Sequence, residues 1–170
     1  MAGSLYDRIL RALDTASESY HRLVLAVGAA GSGKTEALIE LAGENGWPRL
    51  NVNLELSEQL LELTQKQRAV RVAAILGDMV RARISDVVML DNIEMLFAIN
   101  LAQDPLRLLQ GLARNTTIVA AWPGHFDGNA LTYAEPGHPE ARRYLAPPAV
   151  VVMADDRGQS HGVEPRRGTA

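Results

Sequence analysis

The stretch that decides the fold is Leu23–Thr35, which reads LVLAVGAAGSGKT. Its first five residues form an unbroken apolar run, which is typical of a parallel strand buried on both faces. The remainder, Gly28–Thr35, matches the pattern G-x-x-x-x-G-K-[ST] and leads into a segment with helical periodicity. A buried strand, a glycine-rich turn and a helix in this order predict a loop that binds phosphate groups.

The residue types of this loop each have a physical reason. Gly31 and Gly33 allow backbone dihedrals that are closed to other residues, so that successive N–H groups can point into one concavity. Lys34 can reach the β- and γ-phosphates of a nucleotide, and the Thr35 hydroxyl can join the shell of a Mg²⁺ ion. The helix that follows adds the positive end of its dipole. The predicted nucleotide-binding residues are Gly28, Ala29, Ala30, Gly31, Ser32, Gly33, Lys34, Thr35 and Glu36.

A second chemical feature is the acid at the end of Asp86–Asp91, an apolar run that predicts another buried strand. Asp91 would lie at the carboxyl end of that strand, where ligands bind in open α/β sheets. We therefore expect Asp91 to hold Mg²⁺ through water, on the same ion as Thr35. Glu94 follows closely and is predicted to orient or deprotonate the water that attacks the nucleotide. Lys34 and Glu94 are accordingly the predicted catalytic residues of this part of the chain.

Three further segments are predicted to be strands, namely Leu50–Leu54, Thr116–Trp122 and Ala149–Met153. Helical patterns separate them, and strands that alternate with helices predict a parallel sheet. The expected fold class is α/β, a three-layer P-loop NTPase with a parallel sheet of about five strands. Residues 1–154, which include an N-terminal helix, are expected to form this domain, and 155–170 have the composition of a disordered tail.

The connections between the strands carry their own signals. The N-terminal helix is predicted to begin after Ser4, and Asp104-Pro105 predicts the start of another helix, with the aspartate as N-cap. Ser57–Arg83 has a helical pattern, with a break expected near its middle. Gly124–Pro139 is rich in turn formers and predicts a loop, and Glu140–Leu145 predicts a short helix.

The predicted strand Leu50–Leu54 lies between Lys34 and Asp91 in the sequence, which allows another strand to lie between the P-loop strand and the Asp91 strand in the sheet. This arrangement resembles that of AAA+ and RecA-like ATPases, for which the strand order 5-1-4-3-2 is expected. In small P-loop kinases, by contrast, the acid-bearing strand is the direct neighbour of the P-loop strand.

The AAA+ resemblance also implies further functional residues. In these ATPases the aspartate that ends the second buried strand is called the Walker B aspartate, and here it is Asp91. The position directly after it usually holds an acid, and in this chain it holds Asn92. A polar sensor is expected after the next strand, with His125 or Asp127 as candidates. Arg142 and Arg143 are the candidates for an arginine finger that acts on a neighbouring subunit. The chain ends too soon after its last strand for the usual helical lid, so we expect ATP to promote homo-oligomerisation or assembly with partners.

A wider resemblance is carried by five segments, which are Gly28–Thr35, Leu50–Ser57, Leu90–Phe97, Gln103–Leu112 and Leu131–Tyr144. Together they resemble the BrxF family, the small P-loop proteins of type 3 BREX bacteriophage-exclusion systems. This resemblance implies a component of an antiphage defence system. It also implies partners among the other BREX proteins.

Composition excludes several other classes of protein. The 170-residue chain holds no cysteine, which excludes disulfide scaffolds, Cys-ligated zinc and thiol nucleophiles. Its formal charge of −3 gives no broad attraction to nucleic acid and leaves only a local basic face for DNA contact. No apolar run approaches the ~20 residues of a membrane span, so we expect a cytoplasmic protein. Four arginines could form a basic stripe, although a solvated face is the simpler interpretation: Arg68, Arg71, Arg81 and Arg83.

Taken together, these patterns predict a domain that binds Mg²⁺ and ATP and hydrolyses the nucleotide. Two alternatives stay open. The first is a small P-loop kinase, with Arg142 and Arg143 as lid arginines. The second is a nucleotide-binding module without hydrolysis, which is favoured by Asn92 and by the absence of a polar sensor in Ile118–Trp122. Strand order distinguishes the kinase from the ATPase, because the kinase requires the Asp91 strand to neighbour the P-loop strand. A phosphate-release assay distinguishes the non-hydrolysing module from the ATPase.

Overall fold

The computed structural model describes residues 3–154, so the predicted tail at 155–170 lies outside the described residues. A five-stranded sheet forms the centre of the described part, and every neighbouring pair of its strands is parallel. The strands of this sheet are β1 (Leu23–Val27), β2 (Arg49–Asn51), β3 (Val87–Asp91), β4 (Thr117–Trp122) and β8 (Val150–Met153). The α/β class and the parallel five-stranded sheet are as predicted.

The strands lie in the order β2-β3-β4-β1-β8 across the sheet. With the strands numbered along the whole chain, this order differs from the expected 5-1-4-3-2. The edge strand beside β1 is the eighth strand of the chain, because three strands of a second sheet precede it. Counted within this sheet alone, that strand is the fifth, and the order from its edge reads 5-1-4-3-2. Since β4 lies between β1 and β3, the strand that ends in Asp91 does not neighbour the strand that precedes the loop. The kinase alternative requires that these two strands be neighbours.

Helices cover both faces of the sheet, which gives three layers. The helices are α1 (Leu5–Ala16), α2 (Lys34–Asn45), α3 (Val52–Leu60), α4 (Gln65–Arg81) and α5 (Pro105–Leu112). Val24 and Ala26 of β1 share an apolar core with residues of α1 and α2. Leu23, Leu25 and Val27 share the other core with residues of α3, α4 and α5. Because β1 is buried on both faces, the position of the loop at its carboxyl end is fixed from two sides.

The helix ends follow signals that the sequence carries. Ser4 and Asp104 cap α1 and α5 as predicted, because each side chain accepts a hydrogen bond from a backbone N–H in the first turn. Pro105 occupies the first turn of α5, where its missing N–H costs nothing. Among the described residues, none of the helices combines the length and the apolarity that a membrane crossing requires.

The strand predicted over Leu50–Leu54 is wrong in its second half. β2 ends at Asn51, whose side chain caps α3 by accepting a hydrogen bond of 3.2 Å from the backbone N–H of Leu54. The alternation of leucine, valine and asparagine resembles a strand over these few residues. The longer pattern has a helical period, and the buried residues of α3 follow it: Val52, Leu56 and Leu60.

A second sheet, which the sequence patterns did not predict, follows β4. It is antiparallel and consists of β5 (His125–Phe126), β6 (Ala130–Tyr133) and β7 (Arg142–Leu145). The loop predicted over Gly124–Pro139 is therefore wrong where β5 and β6 lie, and the short helix predicted over Glu140–Leu145 is wrong. Residues along β7 alternate between half-buried and exposed, which is the period of a strand and not of a helix.

Aromatic side chains join the second sheet to the body of the domain. The indole Nε1 of the buried Trp122 donates a 3.0 Å hydrogen bond to the carbonyl oxygen of Thr132. The rings of Phe97 and Tyr133 stack with their centroids 3.7 Å apart. The Tyr144 hydroxyl donates a 2.8 Å hydrogen bond to the carboxylate of Asp104 at the start of α5. These contacts hold the second sheet beside the end of β4.

Candidate active site

A cleft of about 250 Å³ lies between the glycine-rich loop and the end of β3. The residues that line it are Ala30–Glu36 from the loop and the start of α2, Asp91, Asn92 and Glu94 from the end of β3, and Ala121 from β4. The structure thus places the predicted loop, the predicted metal-binding residues Thr35 and Asp91, and the predicted catalytic residues Lys34 and Glu94 around one cavity. The cavity lies at the carboxyl edge of the parallel sheet, where open α/β folds bind ligands.

The backbone of the loop has the conformation that its glycines permit. Gly31 has a φ of 77° and Gly33 a φ of 96°, both in the left-handed region that other residues avoid. Gly33 is also the N-cap of α2, so the helix begins at Lys34 and directs its unpaired N–H groups toward the cleft. The Ser32 hydroxyl is buried without a hydrogen-bond partner among the described residues. Positive helix-end charge and a polar atom without a partner are both features that suit a phosphate group.

Lys34 turns its side chain back over the loop. Its ammonium donates hydrogen bonds to the backbone carbonyls of Gly28 and of Ala29, the latter at 3.0 Å. Burial lowers the pKa of Lys34, and the charges of Glu94 and Asp91 act in the opposite direction. Gly28 and Ala29, which do not line the cleft, therefore contribute to the site through their carbonyl groups. A partly desolvated cation in this position interacts strongly with an anion that enters the cleft.

Asp91 is engaged on both of its carboxylate oxygens. Its side chain is only 4% exposed, and its Oδ2 accepts hydrogen bonds from the Arg49 guanidinium, from Nη2 at 2.8 Å and from Nε at 3.2 Å. Its Oδ1 accepts the backbone N–H of Asn92 at 2.9 Å. Arg49 reaches Asp91 because β2 and β3 are paired neighbours, with Asn51 opposite Asp91.

The turn after β3 is held by Asn53, the second residue of α3. The backbone N–H of Asn53 donates to the carbonyl of Asn92 at 2.8 Å, and its side-chain oxygen accepts the N–H of Met95 at 2.9 Å. Its amide nitrogen donates to the Glu94 carboxylate at 2.8 Å. Asn92 itself has a φ of 52°, a conformation that asparagine tolerates better than most residues. The chain therefore turns back after Asp91, and Glu94 reaches the cleft.

Thr35 and Asp91 fit the ligand set of a nucleotide-bound magnesium ion. Within the described residues, no three His, Cys, Asp or Glu side chains cluster as a metal site. Mg²⁺ that binds with a nucleotide usually takes one or two protein ligands and fills its shell with phosphate oxygens and water. A hydroxyl and a carboxylate on the same cleft supply that number of protein oxygens.

The other candidates do not line the cleft. Arg142 and Arg143 lie on β7, and His125 begins β5. Asp127 accepts the backbone N–H groups of Ala130 and Asn129 in the turn before β6, and these hydrogen bonds lower the pKa of its carboxyl group. Asp127 therefore has a structural role in the second sheet. The end of β4 presents Ala121 to the cleft, which is not a polar sensor.

Three of the four arginines of the predicted basic stripe already have partners. Arg68 donates to the backbone carbonyls at the end of α3, including that of Leu60 at 2.9 Å. Arg81 pairs with Asp78 at 2.5 Å, and Arg83 pairs with Glu55. All three sets of contacts lie within this chain, and the solvated face stays the simpler prediction for these arginines.

Arg49 and Asn53 are the residues of the cleft region that sequence reasoning missed. Arg49 belongs to no motif, and Asn53 lies in the segment Leu50–Ser57 without a predicted role. Both act on partners about forty positions further along the chain. The alternation over Leu50–Leu54 is the signal that this segment carries, and it predicts a strand. Only the pairing of β2 with β3 brings these side chains to the acids.

Comparison with known proteins shows structural similarity to solved proteins. No family model matches the chain, and no curated protein matches it. Among solved structures, the chain is similar to a structure of C. elegans PCH-2, with 17% sequence identity, a TM-score of 0.44 and coverage of 89% of this chain. The chain spans 40% of the length of that protein chain. Its own fold and cleft define it as an α/β protein with a parallel sheet and a glycine-rich loop that matches G-x-x-x-x-G-K-[ST].

Proposed function

We propose that the chain binds Mg²⁺ and ATP in the cleft, hydrolyses the nucleotide and acts as a nucleotide-driven switch with partner proteins in antiphage defence. The observation that carries the ATP part is the single cavity lined by the loop, Lys34, Thr35, Asp91 and Glu94. A loop motif alone is met by chance in unrelated chains, whereas its placement between a buried strand and a helix, facing two acids, is specific.

In this proposal, the N–H groups from Ala30 to Thr35 and the Lys34 ammonium bind the phosphates. Thr35 and Asp91 hold the magnesium ion, which when bound neutralises charge on the phosphate oxygens. Glu94 accepts a hydrogen bond from the attacking water and orients it, and the amide of Asn53 positions the Glu94 carboxylate.

The phosphate-release test of this proposal is Glu94→Gln. We expect hydrolysis of Mg·ATP to fall by about a hundredfold, since a positioned general base contributes at least that much. ATP affinity should stay within about threefold of the wild type, because glutamine keeps the size of the side chain and its contact to Asn53. Phosphate release and nucleotide binding are measured on the same samples.

The matched control is Glu58→Gln, an exposed glutamate of α3 that does not line the cleft. It should leave both quantities unchanged. Equal, negligible phosphate release by the wild type and Glu94→Gln, with ATP still bound, would instead establish the nucleotide-binding module without hydrolysis.

That module is the second candidate function, and two observations favour it. Asn92 occupies the position directly after Asp91, and the β4 residue on the cleft is Ala121, so neither supplies an acid or a polar sensor. The kinase alternative is disfavoured by its own criterion, because β4 separates β1 from β3.

The proposed partners are further copies of this chain and other BREX proteins. The resemblance of the five sequence segments to the BrxF family supports this part of the proposal. Two of those segments contact each other through Tyr144 and Asp104. Because Arg142 and Arg143 do not line the cleft of their own chain, they fit the proposal of a finger that acts on a neighbouring subunit. The proposal includes a cytoplasmic location and, given the net charge, no requirement for DNA.

ATP affinity is expected to fall as the pH approaches the lowered pKa of Lys34, which lies below the ordinary lysine value of about 10.4. Burial lowers the pKa of Lys34 in the free protein, and bound polyphosphate would raise it again by its charge. The complex then holds more protons than the free protein, so binding weakens as the pH passes through the lowered pKa. Calorimetry in two buffers of different ionisation enthalpy measures the proton uptake.

The control for this pH dependence is Lys34→Arg, whose guanidinium stays charged over the whole range. Its affinity should be independent of alkaline pH. An affinity of the wild type that stays constant through the ordinary lysine pKa of about 10.4 would contradict the role of the Lys34 charge.

A further inference from the structure

The ion pair between Arg49 and Asp91 places a protein cation on the carboxylate that the proposed function assigns to magnesium. Two N–H groups of the guanidinium donate to the same oxygen, Oδ2, at 2.8 and 3.2 Å. The other oxygen, Oδ1, accepts the N–H of Asn92. Oδ2 therefore holds two donors of this chain, whereas Oδ1 holds one and keeps an acceptor position.

The environment of the pair explains why a cation is present there. A buried carboxylate is costly without an opposite charge, and the Asp91 side chain is 4% exposed. Arg49 supplies that charge from β2, the edge strand of the sheet. Its own side chain is 25% exposed, so the guanidinium has a path to solvent that does not require β2 to leave β3.

Resting on the proposed function, we propose that Arg49 is a resident counter-ion of Asp91 and that a divalent cation which binds beside Asp91 competes with its guanidinium for the carboxylate charge. Mg²⁺ takes oxygen ligands directly, whereas a guanidinium has only donors and repels a second cation. A metal ion that approaches Asp91, directly or through water, therefore weakens the pairing of Arg49 with Oδ2.

The test uses Mn²⁺ alone, which prefers the same oxygen ligands and is counted as free ion by electron paramagnetic resonance. The nucleotide-free wild type is compared with Arg49→Met, which keeps the length of the side chain and removes its charge. We expect Arg49→Met to bind Mn²⁺ at least tenfold more tightly than the wild type. Arg49→Met with Asp91→Asn should lose that gain, because the gain depends on the carboxylate.

Equal or weaker Mn²⁺ binding by Arg49→Met would overturn the proposal and make Arg49 a residue that positions Asp91. A second measurement keeps the test open if that variant folds poorly. In the wild type, the NMR signal of the Arg49 Nε–H should shift when MgCl₂ saturates the protein, and an unmoved signal at saturation would equally overturn the proposal. Arg49→Lys, in which this signal is missing, assigns it.

The proposed function is tested separately by binding of a fluorescent ATP analogue in the presence of MgCl₂. If the analogue does not bind, the proposal that the cleft binds ATP is wrong. The Mn²⁺ comparison stays valid in that case, because it contains no nucleotide. If the analogue binds and the wild type and Arg49→Met have equal Mn²⁺ affinities, only the proposed competition between Arg49 and the metal ion is wrong.

Discussion

Replacing Lys34 by alanine is expected to weaken binding of Mg·ATP by at least about a hundredfold, which corresponds to about 2.7 kcal/mol. Lys34 lines the cleft at the first position of α2, and burial has already removed part of its water. Truncating one partner of a desolvated charge pair costs roughly 2–5 kcal/mol. Alanine also removes the hydrogen bonds to the carbonyls of Gly28 and Ala29, so the loop loses an internal brace.

The chain offers a matched control, because it holds one other lysine, Lys66. Lys66 is exposed in the first turn of α4 and does not line the cleft, so Lys66→Ala should keep the wild-type affinity. Calorimetry on both variants measures the difference, and circular dichroism verifies that each is folded. Retained micromolar affinity in folded Lys34→Ala would contradict the assignment of this lysine to the phosphates.

The centre of the fold could be predicted because its signals are local. β1, β3 and β4 are continuous apolar runs, and each is buried along nearly its whole length. The loop is a contiguous motif, and its glycines have the left-handed conformations that their positions predict. The predicted acid Asp91 then reaches the cleft as a consequence of parallel pairing, which brings the carboxyl ends of the strands to one edge.

The wrong predictions lie in short segments, where the two-residue period of a strand and the 3.6-residue period of a helix fit the same few residues. Five alternating residues from Leu50 resemble a strand, but the cap at Asn51 starts a helix whose apolar period becomes visible only over nine residues. In β7 the residues Arg142 and Arg143 suggest a solvated helix. Their real environment is set by pairing with β6, a partner that itself lies in a segment rich in turn formers.

Arg49 and Asn53 could not be predicted because their function depends on register. A shift of β2 by one residue against β3 would turn the Arg49 side chain to the other face of the sheet. The position of Asn53 depends in addition on where α3 begins. The acids of the cleft could be found from strand ends, whereas the side chains that contact those acids require the packed structure.

Gly124→Ala is expected to lower the free energy of unfolding by about 3 kcal/mol. A Cβ at this position would lie 1.9 Å from the carbonyl oxygen of Thr132 and 2.8 Å from the indole nitrogen of Trp122. Those two atoms form the hydrogen bond that joins β4 to the second sheet. The substitution therefore combines the cost of a lost buried hydrogen bond, about 1–3 kcal/mol, with that of an overpacked contact, about 1–3 kcal/mol.

Urea unfolding followed by circular dichroism measures this loss, and Gly111→Ala is the matched control. Gly111 lies in α5, and a Cβ there would meet nothing within 4 Å, so alanine should stabilise the helix by up to about 1 kcal/mol. A change below about 0.5 kcal/mol in Gly124→Ala would mean that the second sheet moves away at little cost and does not support the domain.

The same substitution tests whether the second sheet supports the loop. The carbonyl oxygen of Trp122 accepts the backbone N–H of Gly124 at 3.0 Å and that of Gly28, where the loop begins, at 3.2 Å. Any shift that relieves Gly124 therefore pulls on the hydrogen bond that anchors Gly28 to β4. We expect folded Gly124→Ala to bind ATP several-fold more weakly, whereas Gly111→Ala should bind it as the wild type does. An unchanged affinity in Gly124→Ala would show that β1 alone is sufficient to hold the loop.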